Sequence, residues 1–490
     1  MADPIEFAGD YDLKYIHLHN HRGQGLKNSE KGIDINHMVA EFNIYESIFS
    51  SSVTGSLVIV DTKNLIGNLP IQGTERLSFK LSSKQTNTSP ENTIDCTEKS
   101  GHPMHIYKLA NKEQLNDTTQ KYTLYFASRE FVRNLRTRIS ESFEGTMDQM
   151  VNKIFKDPNY LDSRKTLHYQ KTRNKDKVVI PNLNPFDAIG LLCKRSLPDS
   201  STDKGAGYLF YETTKGFHFR TWDNLCAEKN NSKGRTPVAK FRYVQSVASD
   251  FLKGTEDKIK EGFKGVENYK FLNNFHDVAA NTAMGTYGHR VITHNIYDKS
   301  YKIDDFHYHN SFHETGHTDN NPAITGSAVD YDMVEGAAPK QKGVSDYPES
   351  RVSLWATTQY AHGKDTGNFG TDVTLDGKVE ALRVAQTNQI HAGTILQMTV
   401  MGQSWLQPGD VIQFDIQTVE DRERAPSILD PHFSGRYIIT DIRHRVSGET
   451  YKQILTCAKD GAAKGYGYAT SSYTQIAGPQ SSQGTSKDIT

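Results

Sequence analysis

Alternating apolar and polar positions dominate the first quarter of the chain. In the segment 38–49, Phe42 and Ile44 alternate with polar residues, which is the period of a half-buried β-strand. Similar strand-like patterns recur at 55–65, 75–83, 105–112 and 121–128. About five short strands predict a small β-barrel or sandwich within residues 1–127, and we expect part of 237–297 to complete it.

Two helices are predicted in the next segment, 128–235. Thr146 and Gln149 have the spacing of a capping box, which predicts a helix that runs to about residue 155. Asn184 can cap a second helix, over 185–196, and Pro185 is favoured in its first turn. The apolar face of this second helix is expected to consist of Phe186, Ile189, Leu192 and Cys193.

Two aromatic-rich runs predict a β-hairpin directly after Gly207. Tyr208–Tyr211 and Phe217–Trp222 flank a turn around Thr213–Gly216. The hairpin and the two helices together predict an α/β domain over 128–235.

A polar, loop-rich segment follows over residues 236–376. A strand is predicted near Arg290–Tyr297, but Gly, Asp, Asn, Thr and Ser dominate 315–376. Loops of this length inside a folded domain are usually functional arms or insertions. We therefore expect this segment to connect the barrel domains and to lie at the periphery.

Regular elements return at residue 377 and predict a second small antiparallel barrel over 377–460. A helix is predicted first, over 377–390. Its buried stripe is expected to consist of Val379, Leu382, Val384 and Ala385. Strand-like segments follow at 393–403, 411–417, 435–448 and 451–460.

The whole pattern predicts an α+β, mainly β fold with two small antiparallel β-barrels, an α/β domain and a loop-rich peripheral segment. Residues 461–490 are rich in Gly, Ser, Thr and Gln and predict a tail that stays flexible until something binds it. No sequence repeat relates the two barrels, so the pattern does not indicate a duplication.

Composition and charge exclude some classes of function. The 490 residues suit three or four globular domains, at about 150 residues each. Because 57 basic residues face 58 acidic ones, the chain is not expected to bind nucleic acid through its bulk charge. The N-terminal segment has acidic residues and no apolar core of a signal peptide, and no run of 18 apolar residues occurs. We expect a protein that is made in a cytoplasm and has no membrane span.

The cysteines and the common catalytic motifs give no sign of chemistry. Cys96, Cys193, Cys226 and Cys457 are widely spaced, and no pair has the spacing of a zinc knuckle or a redox dithiol. Reduced thiols are therefore expected. No phosphate-binding glycine loop and no nucleophile elbow occurs either. We expect no catalytic residue and no cofactor.

One motif could hold a metal ion. His313, Glu314 and His317 match HExxH, in which two histidines one helical turn apart bind zinc and the glutamate acts as general base. The motif needs a helix, but Gly316 disfavours one by roughly 1 kcal/mol, and Pro322 follows closely. A histidine-bearing strand and loop is the favoured interpretation, and a zinc site stays open as the alternative.

Two other clusters contain residue types that could form a binding site. His17, His19 and His21 would share one face of a strand and could bind a metal, but an exposed N-terminal strand or arm is the simpler interpretation. The basic cluster Arg129, Arg133, Arg136 and Arg138 could face a partner or a phosphate. Pairing with the nearby acids Glu130, Glu141 and Glu144 is the simpler interpretation there.

The order of the elements resembles that of the baseplate hub proteins of contractile phage tails and of the VgrG spike of type VI secretion. The capped helix and the hairpin carry the resemblance through Pro185, Phe186, Gly207, Tyr208 and Phe217. In the second barrel, the segment Trp405–Ile412 is similar to a family strand entry with Leu-x-Pro-Gly, and Ser434–His444 is similar to a family strand. The matching residues there are Leu406, Pro408, Gly409, Gly435, Tyr437 and His444.

The resemblance implies a structural role. In the family, two tube-forming barrels per chain lie side by side and three chains form a ring of pseudo-sixfold symmetry. Such a homotrimer would join a sixfold tail tube to a threefold central spike, contact neighbouring baseplate proteins, and let DNA pass through its lumen in transit. A lumen that is neutral or acidic is expected, because each basic phosphate contact would retain DNA. The implied location is the tail of a virion, assembled in the host cytoplasm.

Two rival functions remain open. A VgrG-like spike component of a secretion system is the first, although VgrG continues into an OB-fold and a β-helical needle, whereas this sequence ends soon after the second barrel. A zinc hydrolase that uses His313, Glu314 and His317 is the second, from a different class of protein.

Overall fold

A computed structural model describes residues 7–23, 32–68, 71–84, 93–173, 175–199, 205–226, 235–243, 259, 261–273, 277–295, 299, 301–324, 344–357, 377–417 and 429–464. The elements up to residue 127 are the strands β1 (Tyr11–His19), β2 (Ile33–Asp34), β3 (Val39–Ser47) and β4 (Thr54–Asp61), the helix α1 (Leu65–Asn68), and the strands β5 (Arg76–Ser83), β6 (Thr93–Asp95), β7 (Met104–Asn116) and β8 (Thr119–Ala127).

The elements from residue 128 to residue 226 are α2 (Arg129–Arg136), β9 (Ile139–Thr146), α3 (Met147–Lys156), β10 (Leu167–Tyr169), β11 (Lys175–Leu183), α4 (Pro185–Arg195), β12 (Tyr208–Thr213), β13 (Gly216–Thr221) and α5 (Trp222–Cys226). The elements after residue 226 are β14 (Ala239–Tyr243), β15 (Gly265–Asn273), α6 (Val278–Met284), β16 (Gly288–Asn295), β17 (Tyr301–His307), α7 (Tyr308–Ser311), β18 (Asn321–Pro322), β19 (Val352–Thr357), α8 (Gly377–Ala392), β20 (Thr394–Met401), β21 (Val411–Asp415), β22 (Gly435–Ser447), β23 (Thr450–Lys459) and β24 (Gly461–Ala462).

The first barrel-like sheet has the strand order β2-β1-β5-β7-β8-β4-β3. Every second residue of these strands points inward, and the inward-pointing residues are apolar. Phe42, Phe79 and Phe126 meet at its centre, with ring centroids 4.9 to 5.8 Å apart. Val446 and Tyr451, from β22 and β23, complete the same core.

The second barrel is closed and has six strands, in the order β22-β21-β14-β15-β20-β23 and back to β22. The α+β, mainly β class is therefore confirmed. The expectation that part of 237–297 completes the first barrel is wrong, because β14 and β15 pair with β21 and β20 of the second barrel instead. The pairs β14–β21 and β14–β15 are parallel, so this barrel is not purely antiparallel as expected.

Strand β22 joins the two barrels into one sheet. One of its edges pairs with β23 along most of its length. The opposite edge pairs with β21 over residues 435–438 and with β3 over residues 441–447. A single long strand therefore belongs to both barrels, which fixes their separation and orientation through backbone hydrogen bonds.

The helices α3 and α4 and the hairpin β12–β13 share one apolar core, in which Phe210 and Phe217 stack at a centroid distance of 5.5 Å. Asn184 occupies the N-cap position of α4, but its side chain makes no capping bond. Asn134 of α2 supplies the cap instead, since its Oδ1 accepts from Phe186 N at 2.8 Å. The helix start was predicted correctly, but the capping side chain comes from another helix.

A small peripheral sheet with the order β17-β16-β19 packs on α8 through Val291 and Phe306. In the part of the chain that the structure describes, no helix is long and apolar enough to cross a membrane.

Candidate functional site: the junction of the two barrels

A buried polar network lies where the two barrels meet. Glu46 of β3 and His444 of β22 are both fully buried, and Glu46 Oε1 lies 2.9 Å from His444 Nε2. The other ring nitrogen, Nδ1, lies 2.7 Å from the Tyr451 hydroxyl and 3.2 Å from the Gln453 amide nitrogen. Both of these groups can donate, so Nδ1 accepts and Nε2–H donates to Glu46. Burial, and then the charge of Glu46, raises the pKa of Tyr451 well above its usual value, which keeps its hydroxyl proton available.

The same glutamate also contacts the α/β domain. Thr214, in the turn of the β12–β13 hairpin, donates its backbone N–H to Glu46 Oε2 at 3.0 Å. Glu212, two residues earlier in the hairpin, accepts from the backbone N–H of Val53, just before β4, at 2.8 Å. One buried carboxylate thus bonds to the second barrel and to the hairpin, so the three domains meet at Glu46.

The turn 407–410 forms the second contact between the second barrel and the hairpin. Gly409 has a φ of +91°, and a Cβ there would lie 2.6 Å from the Tyr211 hydroxyl. Both facts require glycine at this position. Thr213 donates to Gln407 Oε1 at 3.2 Å, and Lys215 Nζ donates to the Trp405 carbonyl at 3.0 Å. The Pro-Gly turn therefore seats the hairpin on the barrel.

Helix α8 makes the third contact, through polar side chains that the sequence analysis missed. Glu380, Arg383, Gln386 and Gln389 are all buried, although none of them belongs to the buried stripe that the sequence predicts. Arg383 donates to the carbonyls of Ala206 and Ser196 at 3.0 and 3.1 Å, and to Glu380 at 2.6 Å. The i, i+3 spacing of these residues is visible in the sequence, but nothing there distinguishes a buried polar stripe from a solvated one.

The residues that carry the family resemblance lie in three parts of the structure. Leu406, Pro408, Gly409 and His444 lie at or beside the junction. Pro185, Phe186, Tyr208 and Phe217 belong to the core of the α/β domain, and Gly207 lies beside Gln386 of α8. Gly435, with a φ of +139°, begins β22 beside Asp319 and Lys459, and Tyr437 lies inside the second barrel with its hydroxyl on the Phe433 carbonyl.

The HExxH segment does not have the geometry of a zinc site. Residues 312–314 form a 3-10 turn, His313 and Glu314 are exposed, and His317 is buried. His317 Nδ1 lies 2.7 Å from Asp460 Oδ2, and its Nε2 lies 2.8 Å from the Phe312 carbonyl. Among the described residues, no three His, Cys, Asp or Glu side chains are placed to share a metal ion.

His317 instead ties the peripheral segment to the second barrel. Its ring stacks on Phe312 at a centroid distance of 3.8 Å. Burial alone would lower the pKa of His317, but Asp460, together with Asp223 and the Phe312 carbonyl, raises it above its usual value. Burial would likewise raise the pKa of Asp460, but His317 and Thr318 lower it. The pair is therefore a buried ion pair with a structural role.

The other two candidate clusters are also built into the fold. His17 and His19 lie on β1 with ring centroids 6.2 Å apart, and His21 lies in the following turn. The expectation of an exposed strand or arm is wrong, since His19 is buried and β1 pairs with both β2 and β5.

The basic cluster of α2 finds other partners than the expected acids. Arg129 donates to the Asp162 carboxylate at 2.6 Å, and Arg133 Nε donates to the Tyr160 carbonyl at 2.9 Å. Arg136 and Arg138 are exposed. Glu130 and Glu141 pair with lysines instead, namely Lys165 and Lys153.

Comparisons with known proteins give likenesses of structure only. No family model matches the chain, and no curated protein matches it. A tail protein from Neisseria meningitidis aligns with 9% identity and a TM-score of 0.46, covering 92% of this chain and 97% of that one. A 43 kDa prophage tail protein from Shewanella oneidensis aligns with 8% identity and a TM-score of 0.46, covering 92% and 98%.

A third similar structure is a type VI secretion component from E. coli, described as structurally similar to the T4 tail proteins gp27 and gp5. It aligns with 10% identity and a TM-score of 0.40, covering 94% of this chain and 79% of that one. The structural neighbours are thus phage tail proteins and VgrG-like proteins. At these scores the likeness carries no information on what this chain binds.

Proposed function

We propose that this chain is the structural baseplate hub of a contractile phage tail. In this role it forms a homotrimeric ring of pseudo-sixfold symmetry that joins the sixfold tail tube to the threefold central spike and lines part of the channel. Tube protein, spike and neighbouring baseplate proteins are its partners, DNA is in transit only, and the protein resides in the tail of the virion. The role is mechanical and needs no catalytic residue.

The observation that carries the proposal is the continuous sheet through both barrels. Because β22 pairs with β21 and with β3 along the same edge, the two barrels cannot rotate independently without breaking backbone hydrogen bonds. Three rigid two-barrel blocks around a threefold axis present six barrels, which is the arrangement that a sixfold tube requires. A flexible linker between the barrels would not maintain that spacing.

The buried network at the junction supports the same role. A hub transmits force between tube and spike, so its domains must not separate under load. Glu46 is bonded to the other two domains at once, and neither its carboxylate nor the His444 ring is accessible to water. Removing one member of such a pair leaves a buried polar group unpaired, which costs about 1–3 kcal/mol, and more where that group is charged.

The experiment is the mass of the full chain in solution, by light scattering across a concentration series. A hub gives a stable species of three times the 55.1 kDa chain mass. Its interfaces should each bury roughly 2,000 Å² or more, so the trimer should persist on dilution. Averaged electron micrographs of that species should show six similar densities around the axis. A monomer at every concentration would contradict a self-assembling ring.

A matched pair of variants links the assembly to the junction. His444→Leu removes the donor to Glu46 inside the junction, whereas His313→Leu changes an exposed histidine of the peripheral segment. We expect His444→Leu to weaken the trimer and His313→Leu to leave it unchanged. Equal trimer stability in both variants would show that the junction does not support assembly. A trimer that continues into a needle would favour the VgrG-like alternative.

A further inference from the structure

A polar cleft separates the first barrel from the α/β domain. It has a volume of about 290 Å³, and four basic and two acidic residues contribute to its lining. The side chains that matter here are Arg76, His102, His105, Arg129, Arg164 and Lys165. The junction at Glu46 does not include these residues, and the proposed function does not use the cleft.

Elements of both domains hold these side chains. Arg76 of β5 and His105 of β7 are direct cross-strand partners, so their side chains lie next to each other on one face of the first barrel. Arg129 begins α2, and Lys165 lies in the loop before β10. The cleft is therefore framed on one side by the barrel and on the other by the α/β domain.

Two of the four cations are already neutralised. Lys165 lies 3.2 Å from Glu130 and also contacts Glu212, with all three side chains almost completely buried. Arg129 lies 2.6 Å from Asp162. These ion pairs fix the wall of the cleft and leave little charge for a ligand.

The other two cations have donors to spare. Arg76 makes one long contact, 3.4 Å to Glu98, and its Nε is buried without a hydrogen-bond acceptor. Arg164 is exposed, and within the described part of the chain it has no ion pair. Guanidinium groups match the geometry of carboxylates and phosphates and form strong charge-assisted hydrogen bonds with them.

Burial and the nearby cations both act on the two histidines of the cleft. Burial, followed by Arg76, Arg129 and Lys165, lowers the pKa of His105 to about 4, and only Glu130 opposes these effects. Burial and Lys165 also lower the pKa of His102. Both rings are therefore neutral near pH 7 and add no positive charge to the empty cleft.

We propose that this cleft binds an oxyanion between Arg76 and Arg164. The shared chemistry is that of a carboxylate side chain from a partner protein or of a phosphate group. An anion held there would contact the barrel through Arg76 and the α/β domain through Arg164, and so would tie the two domains together. A bound negative charge would also favour the protonated form of His105, which gives a direct readout of occupancy.

The test is the titration of His105 in the full chain, followed by NMR with 13C-labelled histidine. Inorganic phosphate is the first probe and a short glutamate-rich peptide the second, each compared with chloride at equal ionic strength. We expect one probe to raise the pKa of His105 by about one unit, which corresponds to tenfold stronger proton binding. Calorimetry should show at least about a tenfold loss of affinity for that probe in Arg164→Gln.

Arg138→Gln is the matched control, because Arg138 is exposed and does not line the cleft. It should bind the probe like the unmodified chain. A response to phosphate alone identifies a phosphate site, and a response to the peptide alone identifies a docking site for an acidic partner segment. An equal response to chloride, no response to either probe, or unchanged binding in Arg164→Gln would overturn the proposal.

Discussion

Arg383 allows the contribution of the buried polar face of α8 to be measured. Its side chain is about nine-tenths buried and donates to backbone carbonyls of two segments of the α/β domain and to Glu380. A third carbonyl, that of Lys194, also accepts from it. Burial lowers the pKa of Arg383 and raises that of Glu380, because it disfavours the charged form of both groups. The hydrogen bonds and the ion pair offset this cost of desolvation. The perturbation is Arg383→Met, which keeps an unbranched apolar stem and removes the charge and the donors.

The expected loss can be worked from these contacts. Methionine leaves Glu380 buried without its partner, and removing one member of a buried ion pair costs about 3–5 kcal/mol. The three carbonyls lose a charged donor as well, but water that enters the gap replaces most of these bonds, so their loss adds only about 1 kcal/mol. We therefore expect the free energy of unfolding of the α/β domain to fall by roughly 4–6 kcal/mol.

The assay is urea unfolding followed by tryptophan fluorescence, because Trp222 in helix α5 of this domain is fully buried. Hydrogen exchange of the segment 185–222 gives the local readout, since a protein of several domains need not unfold in one step. Arg445→Met is the matched control: Arg445 is about half exposed, its ion pair with Glu41 lies at the surface, and such pairs contribute about 0–1 kcal/mol.

A double variant separates the two parts of the effect. Glu380→Leu in the Arg383→Met background removes the stranded carboxylate and should recover about 2 kcal/mol or more of the loss. If Arg383→Met shifted the unfolding midpoint no more than Arg445→Met does, the argument that α8 holds the α/β domain through buried polar contacts would be refuted.

Three further predictions concern other contacts. Gly409→Ala should lower the free energy of unfolding by about 2–4 kcal/mol, because it adds backbone strain at a φ of +91° and a clash with Tyr211. Gly448→Ala, at a φ of +59° with open space around it, should lower it by only about 1 kcal/mol. Similar losses in the two variants would contradict the clash. Because the pKa of His317 is raised, its contribution to stability is fully present below the unfolded-state pKa of about 6.5 and is lost as pH rises through the folded-state pKa. The pKa of Asp460 is lowered, so the contribution of Asp460 to stability is lost only in acid, below about 3.9. The stability difference between the unmodified chain and His317→Gln should therefore be larger at pH 6 than at pH 9, and a difference independent of pH would contradict the ion pair. Metal analysis of the purified chain should give the same zinc content for His313→Ala as for the unmodified chain, whereas stoichiometric zinc that is lost in this variant would favour the hydrolase.

Local patterns along the sequence determined most of the elements. The period of two in β3 and β5, the helix that begins at Pro185, and the hairpin that turns at Gly216 each depend on neighbours a few residues apart. Backbone geometry and side-chain periodicity depend on residues that are close in sequence. The alternating pattern therefore predicts the main barrel strands at 38–128 and at 393–460. The starts of α3 and α4 were also readable, because capping residues and proline act locally.

Only the tertiary structure decided which strands pair and which polar groups are buried. The pattern could not assign β14 and β15 to the second barrel, because strand pairing depends on contacts far apart in the chain. Glu46 and His444 are separated by 398 residues, and neither sequence neighbourhood indicates that the other carries its partner. The same holds for the buried stripe of α8, since a polar side chain can be buried only where another segment supplies its hydrogen bonds. Patterns along the chain thus determine which elements form, and contacts between distant segments determine the junction at which the three domains are joined.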